Sequence, residues 1–218
     1  MALSSVARGR FITLEGPEGS GKTTAARHLG EWLAGRGIEA VLTGEPGGTT
    51  LGDEIREIVL HHRGVADDLD PRADALLFAA QRAQHVTRLI RPALARGAWV
   101  VCARYLDSSL AYQGAGYGID LGEMRRLQAF ATGGLLPDLT VLIDVPVEIG
   151  LRRKRHGKWN RFEDTAGVDF FETVRGAYRE LAAAEPGRFR VVDGSGTVDE
   201  MDLAVRALVE PLLRVATA

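Results

Sequence analysis

The sequence predicts an α/β fold: a doubly wound, five-stranded parallel sheet flanked by helices. Three observations predict it. Short, continuously apolar runs alternate with longer stretches of helical spacing, the pattern of a parallel sheet covered on both faces. The first apolar run passes into Gly16-Pro17-Glu18-Gly19-Ser20-Gly21-Lys22-Thr23, which meets G-x-x-x-x-G-K-[ST] at every fixed position. A helix-compatible stretch follows that loop directly, so strand, glycine loop and helix start stand in the order that makes a phosphate cradle.

The strands fall at 11–14, 40–42, 99–102, 140–143 and 189–192, each a short run dominated by Val, Ile, Leu, Phe, Trp or Ala. Helical spacing fills about 22–35, 50–62, 71–96, 120–132, 146–156, 168–184 and 197–214. Asp70-Pro71 is a helix start, an N-cap residue followed by a proline in the first turn, and Gly97 stops the long helix that follows. The segments after the second and third strands, Thr43–Thr49 and Arg104–Gly114, read as loops at the end of the sheet where an α/β fold holds its ligands. No repeat, low-complexity tract or composition break divides the chain. It therefore reads as a flexible N-terminus over 1–9 and one domain over 10–218.

With 218 residues, 45% of them hydrophobic, the chain can bury one sizeable core. Its 27 Lys and Arg against 29 Asp and Glu leave a net charge of −2, which favours neither nucleic acid nor a membrane surface as partner. Residues 1–9 have no apolar segment of a secretory signal, and no apolar run approaches the roughly 18 residues of a membrane span. The one cysteine, Cys102, sits in an apolar strand as a small core residue. A reducing cytoplasmic setting fits.

The glycine loop names a ligand class. Residues 16–24 (Gly16, Pro17, Glu18, Gly19, Ser20, Gly21, Lys22, Thr23 and Thr24) wrap one point with their backbone N–H groups, Pro17 alone having none; Lys22 can reach the β- and γ-phosphates of a nucleoside triphosphate, and the Thr23 hydroxyl can hold Mg²⁺. Arg104 closes the third strand, where it can clamp a second phosphate through two parallel N–H···O bonds or form a structural ion pair. Six of the ten positions from 152 to 161 are Lys or Arg. Such a run is ordinarily a solvated face or a nucleic-acid patch; here it follows the fourth strand by one short helix.

The chain resembles the thymidylate kinase (dTMP kinase) family of nucleoside monophosphate kinases from about Arg10 onward. The resemblance is carried by Glu45-Pro46-Gly47-Gly48-Thr49, by Arg104-Tyr105…Ser109…Ala111-Tyr112-Gln113-Gly114, and by Leu77-Phe78-Ala79-Ala80-Gln81-Arg82. It implies transfer of the γ-phosphoryl group of ATP to dTMP, with Mg²⁺, in a cytoplasmic homodimer. It implies that Phe78 stacks on thymine and Arg82 bonds a base carbonyl; by residue pattern alone, a core Phe beside a surface Arg is the commoner arrangement. It further implies that Arg104 grips the dTMP phosphate, Ser109 reads the pyrimidine edge, Tyr112 selects deoxyribose and Glu18 approaches the 3′-hydroxyl. Glu45, Pro46, Ser108 and Gln113 complete the expected acceptor pocket. The basic run corresponds to the family's lid, at about 150–165. Because the glycine loop carries no basic residue before Lys22, the transferring arginine is expected there, first Arg153 and then Arg161. His156 reads as a surface residue, since a phosphate oxygen needs no general base. The loop 192–196 is expected near adenine, or equally as a capping turn before Thr197.

Two positions depart from the family pattern. Ala103 stands where Asp is usual, and Gly44 where Arg is usual. An engineered Asp→Ala change, a natural kinase with Glu163 or Asp144 supporting the metal, and a nucleotide-binding protein with impaired turnover all accommodate Ala103. A kinase for another or a modified deoxynucleoside monophosphate is the alternative within enzymes.

Overall fold

The computed structural model describes residues 8–66, 68–154 and 167–215. The expected lid arginine Arg161, together with His156 and Glu163, lies outside the described residues. In chain order the elements are β1 (Phe11–Glu15), α1 (Lys22–Ala34), β2 (Ala40–Gly44), α2 (Thr50–Arg56), α3 (Arg63–Ala66), α4 (Pro71–His85), α5 (Arg91–Ala95), β3 (Trp99–Ala103), α6 (Leu106–Ser109), α7 (Leu121–Thr132), β4 (Leu139–Asp144), α8 (Val147–Lys154), α9 (Val168–Ala184), β5 (Phe189–Asp193) and α10 (Val198–Val215).

All strand pairings are parallel, in the order β2-β3-β1-β4-β5. β1 lies at the centre, and the chain leaves it toward both sides, so a crevice opens above its C-terminal end. The two faces of the sheet are buried separately. Ile12, Leu14, Val101 and Val141 pack with Leu29 and Leu33 of α1 and Met201 and Val205 of α10. Phe11, Val100, Cys102 and Leu142 face the other way, toward Ile90, Leu94, Phe171, Val174 and Tyr178. This two-sided burial is why the central strands β1, β3 and β4 read as almost continuous apolar runs; the edge strands β2 and β5 are more exposed. Two buried polar residues of the central strands, Thr13 and Thr140, face each other across the ladder with hydroxyl oxygens 2.9 Å apart.

Asp70 caps α4, its side chain accepting the Arg72 N–H at 2.8 Å with Pro71 in the first turn. The long helix expected over 71–96 is one rod with a π-helical turn, Val86–Ile90, before α5. Pro92 explains that turn. A proline ring collides with the carbonyl four residues back, and widening the helix to an i→i−5 bond, here Arg91 N–H to the Val86 carbonyl, relieves it.

One expectation is corrected. Residues 106–116 are helical rather than a loop: α6 runs on as a π-helical stretch, Leu110–Gly116. The first turn has no side-chain cap, and Ser, Gly and Asp disfavour helix. Burial of Leu106, Leu110, Ala111 and Tyr112 overrides that local preference.

Candidate active site

β1 delivers Glu15 and the glycine loop to the crevice, and α1 begins at Lys22. Gly19 has φ +70°, and a Cβ there would lie 2.0 Å from the carbonyl oxygen of Gly150. Only glycine admits that left-handed turn and the close approach of α8. Lys22 curls over its own loop: Nζ donates to the carbonyls of Gly16 (3.0 Å) and Pro17 (2.7 Å) and to Ser20 Oγ (2.9 Å). Burial, and then the nearby Arg104 charge, pull its ammonium down to about 7, against the opposing attraction of Glu18 and Glu15. Thr23 is exposed in the first turn of α1.

Beside the loop lies a cavity of about 170 Å³. Its wall brings together all ten residues expected around the acceptor: Glu18, Glu45, Pro46, Phe78, Arg82, Arg104, Ser108, Ser109, Tyr112 and Gln113. It also includes Arg56, Leu60, His61 and Lys154, which sequence reasoning did not single out. Phe78 packs with Ile55 and Val59 in a small apolar cluster of its own, giving one wall a flat aromatic face.

The polar wall is built before any ligand arrives. Arg82 is 1% exposed. Its Nε donates to Glu45 Oε2 at 2.7 Å, Nη1 to Ser109 Oγ at 2.9 Å and to Gln128 Oε1, and Nη2 to the Tyr105 carbonyl at 3.0 Å. Four of five N–H groups are thereby engaged, so Arg82 is chiefly a strut of the pocket, with one N–H left for a ligand. The other Glu45 oxygen pairs with His85 Nδ1 at 2.9 Å, and His85 Nε2 reaches Thr43 Oγ1 at 2.8 Å. Gly47 N–H donates to Gln81 Oε1 at 3.2 Å, tying the Glu45–Thr49 loop to α4. Gln113 donates to Asp74 Oδ2 at 3.0 Å.

Arg104 stands at the junction of cavity and loop with φ 69°, a left-handed conformation that a non-glycine residue adopts at a cost of about 1–3 kcal/mol. Glu15 holds the chain there. It accepts the Tyr105 N–H at 2.7 Å, the Ser108 hydroxyl at 2.6 Å and the Tyr178 hydroxyl at 2.9 Å. Burial, with Asp107 adding to it, raises the Glu15 carboxyl to about 7. Arg104 Nη2 donates to Glu18 Oε2 at 2.7 Å, and its guanidinium lies 5.0 Å from the Tyr112 ring centroid. Burial pushes the Glu18 carboxyl up, but Arg104, Lys22 and Lys154 outweigh it and hold the group below its ordinary value. Glu15 had a sequence signal: a carboxylate ending an otherwise apolar strand, one residue before the glycine loop.

A second, more open cleft lies over the loop, lined by Gly19, Ser20, Gly21, Thr24, Arg153, Lys154, Gly194, Gly196, Thr197, Val198 and Met201. Arg153, the first-choice transferring arginine, donates to the carbonyls of Gly194 (2.7 Å), Ser195 (3.2 Å) and Gly196 (3.2 Å). It is turned toward the loop after β5 rather than toward the cavity. That loop also has the capping function: Thr197 N–H donates to Glu200 Oε2 at 2.8 Å and Glu200 N–H to Thr197 Oγ1 at 3.3 Å, a reciprocal capping box.

The carboxylates placed to support a metal are engaged. Asp144 forms a two-point bridge with Arg175 at 2.7 and 3.0 Å, Glu15 has three donors, and Glu18 has Arg104 and Lys154. Among the described residues no three His, Cys, Asp or Glu side chains gather into a metal cage. The donor set of the described residues would therefore fit Mg²⁺ as an ion carried by phosphates and water, with the exposed Thr23 hydroxyl available to it. The two departures from the family pattern are direct neighbours: Gly44 pairs with Ala103 across β2 and β3, and a Cβ on Gly44 would lie 3.5 Å from that of Ala103.

A family model described as thymidylate kinase matches residues 14–204. The chain belongs to the thymidylate kinase family. The thymidylate kinase of Clavibacter michiganensis subsp. michiganensis is 51% identical over 94% of this chain and 96% of the relative. That of Pseudomonas fluorescens strain SBW25 is 47% identical over 95% and 98%. The crystal structure of thymidylate kinase from Ehrlichia chaffeensis superposes with a TM-score of 0.75 at 32% identity, covering 93% of this chain and 99% of that one. No helix among the described residues is long and apolar enough to cross a membrane.

Proposed function

We propose that this thymidylate kinase family member transfers the γ-phosphoryl group of ATP to dTMP, giving dTDP and ADP. One observation carries the reading: Arg104 and Glu18 stand at the edge shared by a prebuilt cavity and a glycine-loop phosphate cradle. Two phosphates held on either side of that edge meet end to end, the geometry of in-line transfer.

In this reading thymine lies against Phe78, with the spare Arg82 N–H and the Ser109 hydroxyl on its edge. Tyr112 walls the sugar, Glu18 takes the 3′-hydroxyl, and Arg104 grips the acceptor phosphate. Lys22 exchanges the carbonyls of Gly16 and Pro17 for β- and γ-phosphate oxygens, while N–H groups of residues 16–24 cradle the chain of phosphates. The Thr23 hydroxyl would contact Mg²⁺, which when bound supplies charge that offsets the phosphates. Arg153 shapes the Gly194–Gly196 loop for the donor base. Glu45, Pro46, Ser108 and Gln113 keep the acceptor pocket in shape.

A homodimer fits the exposed apolar side chains Leu76 on α4 and Phe130 on α7, two helices packed on one another. A cytoplasmic setting fits ATP as donor and a single buried thiol. The test of activity is ADP release coupled to a reporter, across dTMP, dUMP, dCMP and dGMP at equal concentration. dTMP is expected to be turned over fastest. A faster dCMP or dGMP reaction, or nucleotide binding without dTDP formation, would overturn the assignment.

A further inference from the structure

We propose that Lys154 is a catalytic residue: its ammonium bridges the donor and acceptor phosphates and neutralises the γ-phosphoryl group in flight. This rests on the transfer reaction proposed above. Among the described residues, Lys154 alone lines both the acceptor cavity and the cleft over the glycine loop. Its Nζ lies 3.5 Å from Glu18 Oε1, on the carboxylate whose other oxygen accepts from Arg104.

The placement has a structural cause. α8 meets the glycine loop through Gly150, where a Cβ would lie 2.2 Å from the Glu18 carbonyl oxygen. No larger residue permits that contact. Lys154 stands four residues later, on the same helix face, so it is aimed over the loop. Arg153 is about 100° away around the helix and is held by the carbonyls after β5. Neighbouring cations are thereby sorted, one to the donor loop and one to the junction.

The chemistry needs a cation at that junction. An oxygen of the acceptor phosphate attacks the γ-phosphorus and forms the new P–O bond. The bond from γ-phosphorus to the bridging oxygen breaks, and ADP leaves with its electron pair. Charge spreads over the three equatorial oxygens between the two phosphates. Lys22 serves the donor side and Arg104 the acceptor side. Lys154 Nζ–H groups exchange Glu18 for those equatorial oxygens, and no proton is transferred.

The experiment compares wild type with Lys154→Met, Lys154→Arg and Lys154→Cys in the dTMP-dependent assay, with dTMP and ATP affinities by calorimetry and thermal midpoints alongside. Lys154→Met is expected to lower kcat about 100-fold or more, with both affinities within threefold and the midpoint unchanged. Lys154→Arg should recover to within about tenfold of wild type. Alkylating Lys154→Cys with 2-bromoethylamine, which restores an ammonium, should raise its kcat at least tenfold; Cys102, fully buried with its thiol pushed up by burial, stays unmodified. A Lys154→Met enzyme with kcat within threefold of wild type overturns the proposal while the kinase reading stands. A loss confined to affinity overturns it too. No dTDP from the wild-type chain would instead sink the reading on which it rests.

Discussion

The acceptor cavity and the glycine loop stand side by side and are prepared in opposite ways. The cavity is prebuilt: Arg82, Glu45, His85, Ser109 and Gln128 form one hydrogen-bonded network in and behind its wall, and a ligand meets groups already in position. The glycine loop is closed on itself, because Lys22 satisfies the carbonyls and hydroxyl that surround it. Binding at the first site asks for little rearrangement. Binding at the second asks a buried ammonium to exchange partners. A selective site benefits from rigidity, since misplaced buried donors discriminate poorly, whereas a site for a highly charged triphosphate can tolerate an exchange that strong Coulomb attraction offsets.

The largest effect should come from breaking the prebuilt side. Glu45→Ala leaves the Arg82 guanidinium buried without its carboxylate, which costs about 3–5 kcal/mol. The thermal midpoint should fall by on the order of 10 °C. A shift under about 2 °C would mean that the network is not the rigid part of the molecule.

Next, Arg104→Lys tests whether the junction needs a fork or only a charge. Arg104 reaches Glu18, Ser108, Tyr112 and the Gly16 carbonyl from two nitrogens, which a single ammonium cannot do. kcat/KM for dTMP should drop about 100-fold with KM for ATP nearly unchanged. Equal losses on both substrates would erase the division between the two sides.

The smallest effect reports on the exchange itself. With its pKa near 7, Lys22 is mostly neutral at pH 8, and a triphosphate beside it favours the charged form. ATP binding at pH 8 should therefore take up about 0.9 proton, and affinity should weaken about fivefold from pH 7 to 8. Calorimetry in buffers of different ionisation enthalpy reads this directly; buffer-independent heats would contradict it. For folding the sign is opposite. The unfolded chain binds that proton more readily between about pH 7 and 10.5, so through Lys22 alone the ligand-free protein gains stability as pH rises across that window.

Much of the molecule is legible in its residues alone. The strands extend their expected runs by one or two residues; burial on both faces gives β1, β3 and β4 a plain apolar signature, and the shorter apolar runs of the edge strands suffice for β2 and β5. Asp70-Pro71 marks its helix start for purely local reasons. The segment 106–116 escapes, since its helix is imposed by packing against the local preference of Ser, Gly and Asp. The expected acceptor residues gather round one cavity, yet the part played by Arg82 was hidden. A pattern of residue types shows that a guanidinium is available, not that four of its five N–H groups are already engaged.

The basic run makes the boundary plainest. The order of the amino acids was enough to dictate the fold, the glycine loop between β1 and α1 and the presence of consecutive cations after the fourth strand, because these follow from side-chain chemistry and short-range spacing. Which way each cation turns was settled only in three dimensions. Gly150 presses on the Glu18 carbonyl and thereby sets the rotation of α8, sending Arg153 to the loop after β5 and Lys154 to the meeting point of the two sites. That rotation depends on a contact between residues 132 positions apart, a distance over which no local pattern carries information.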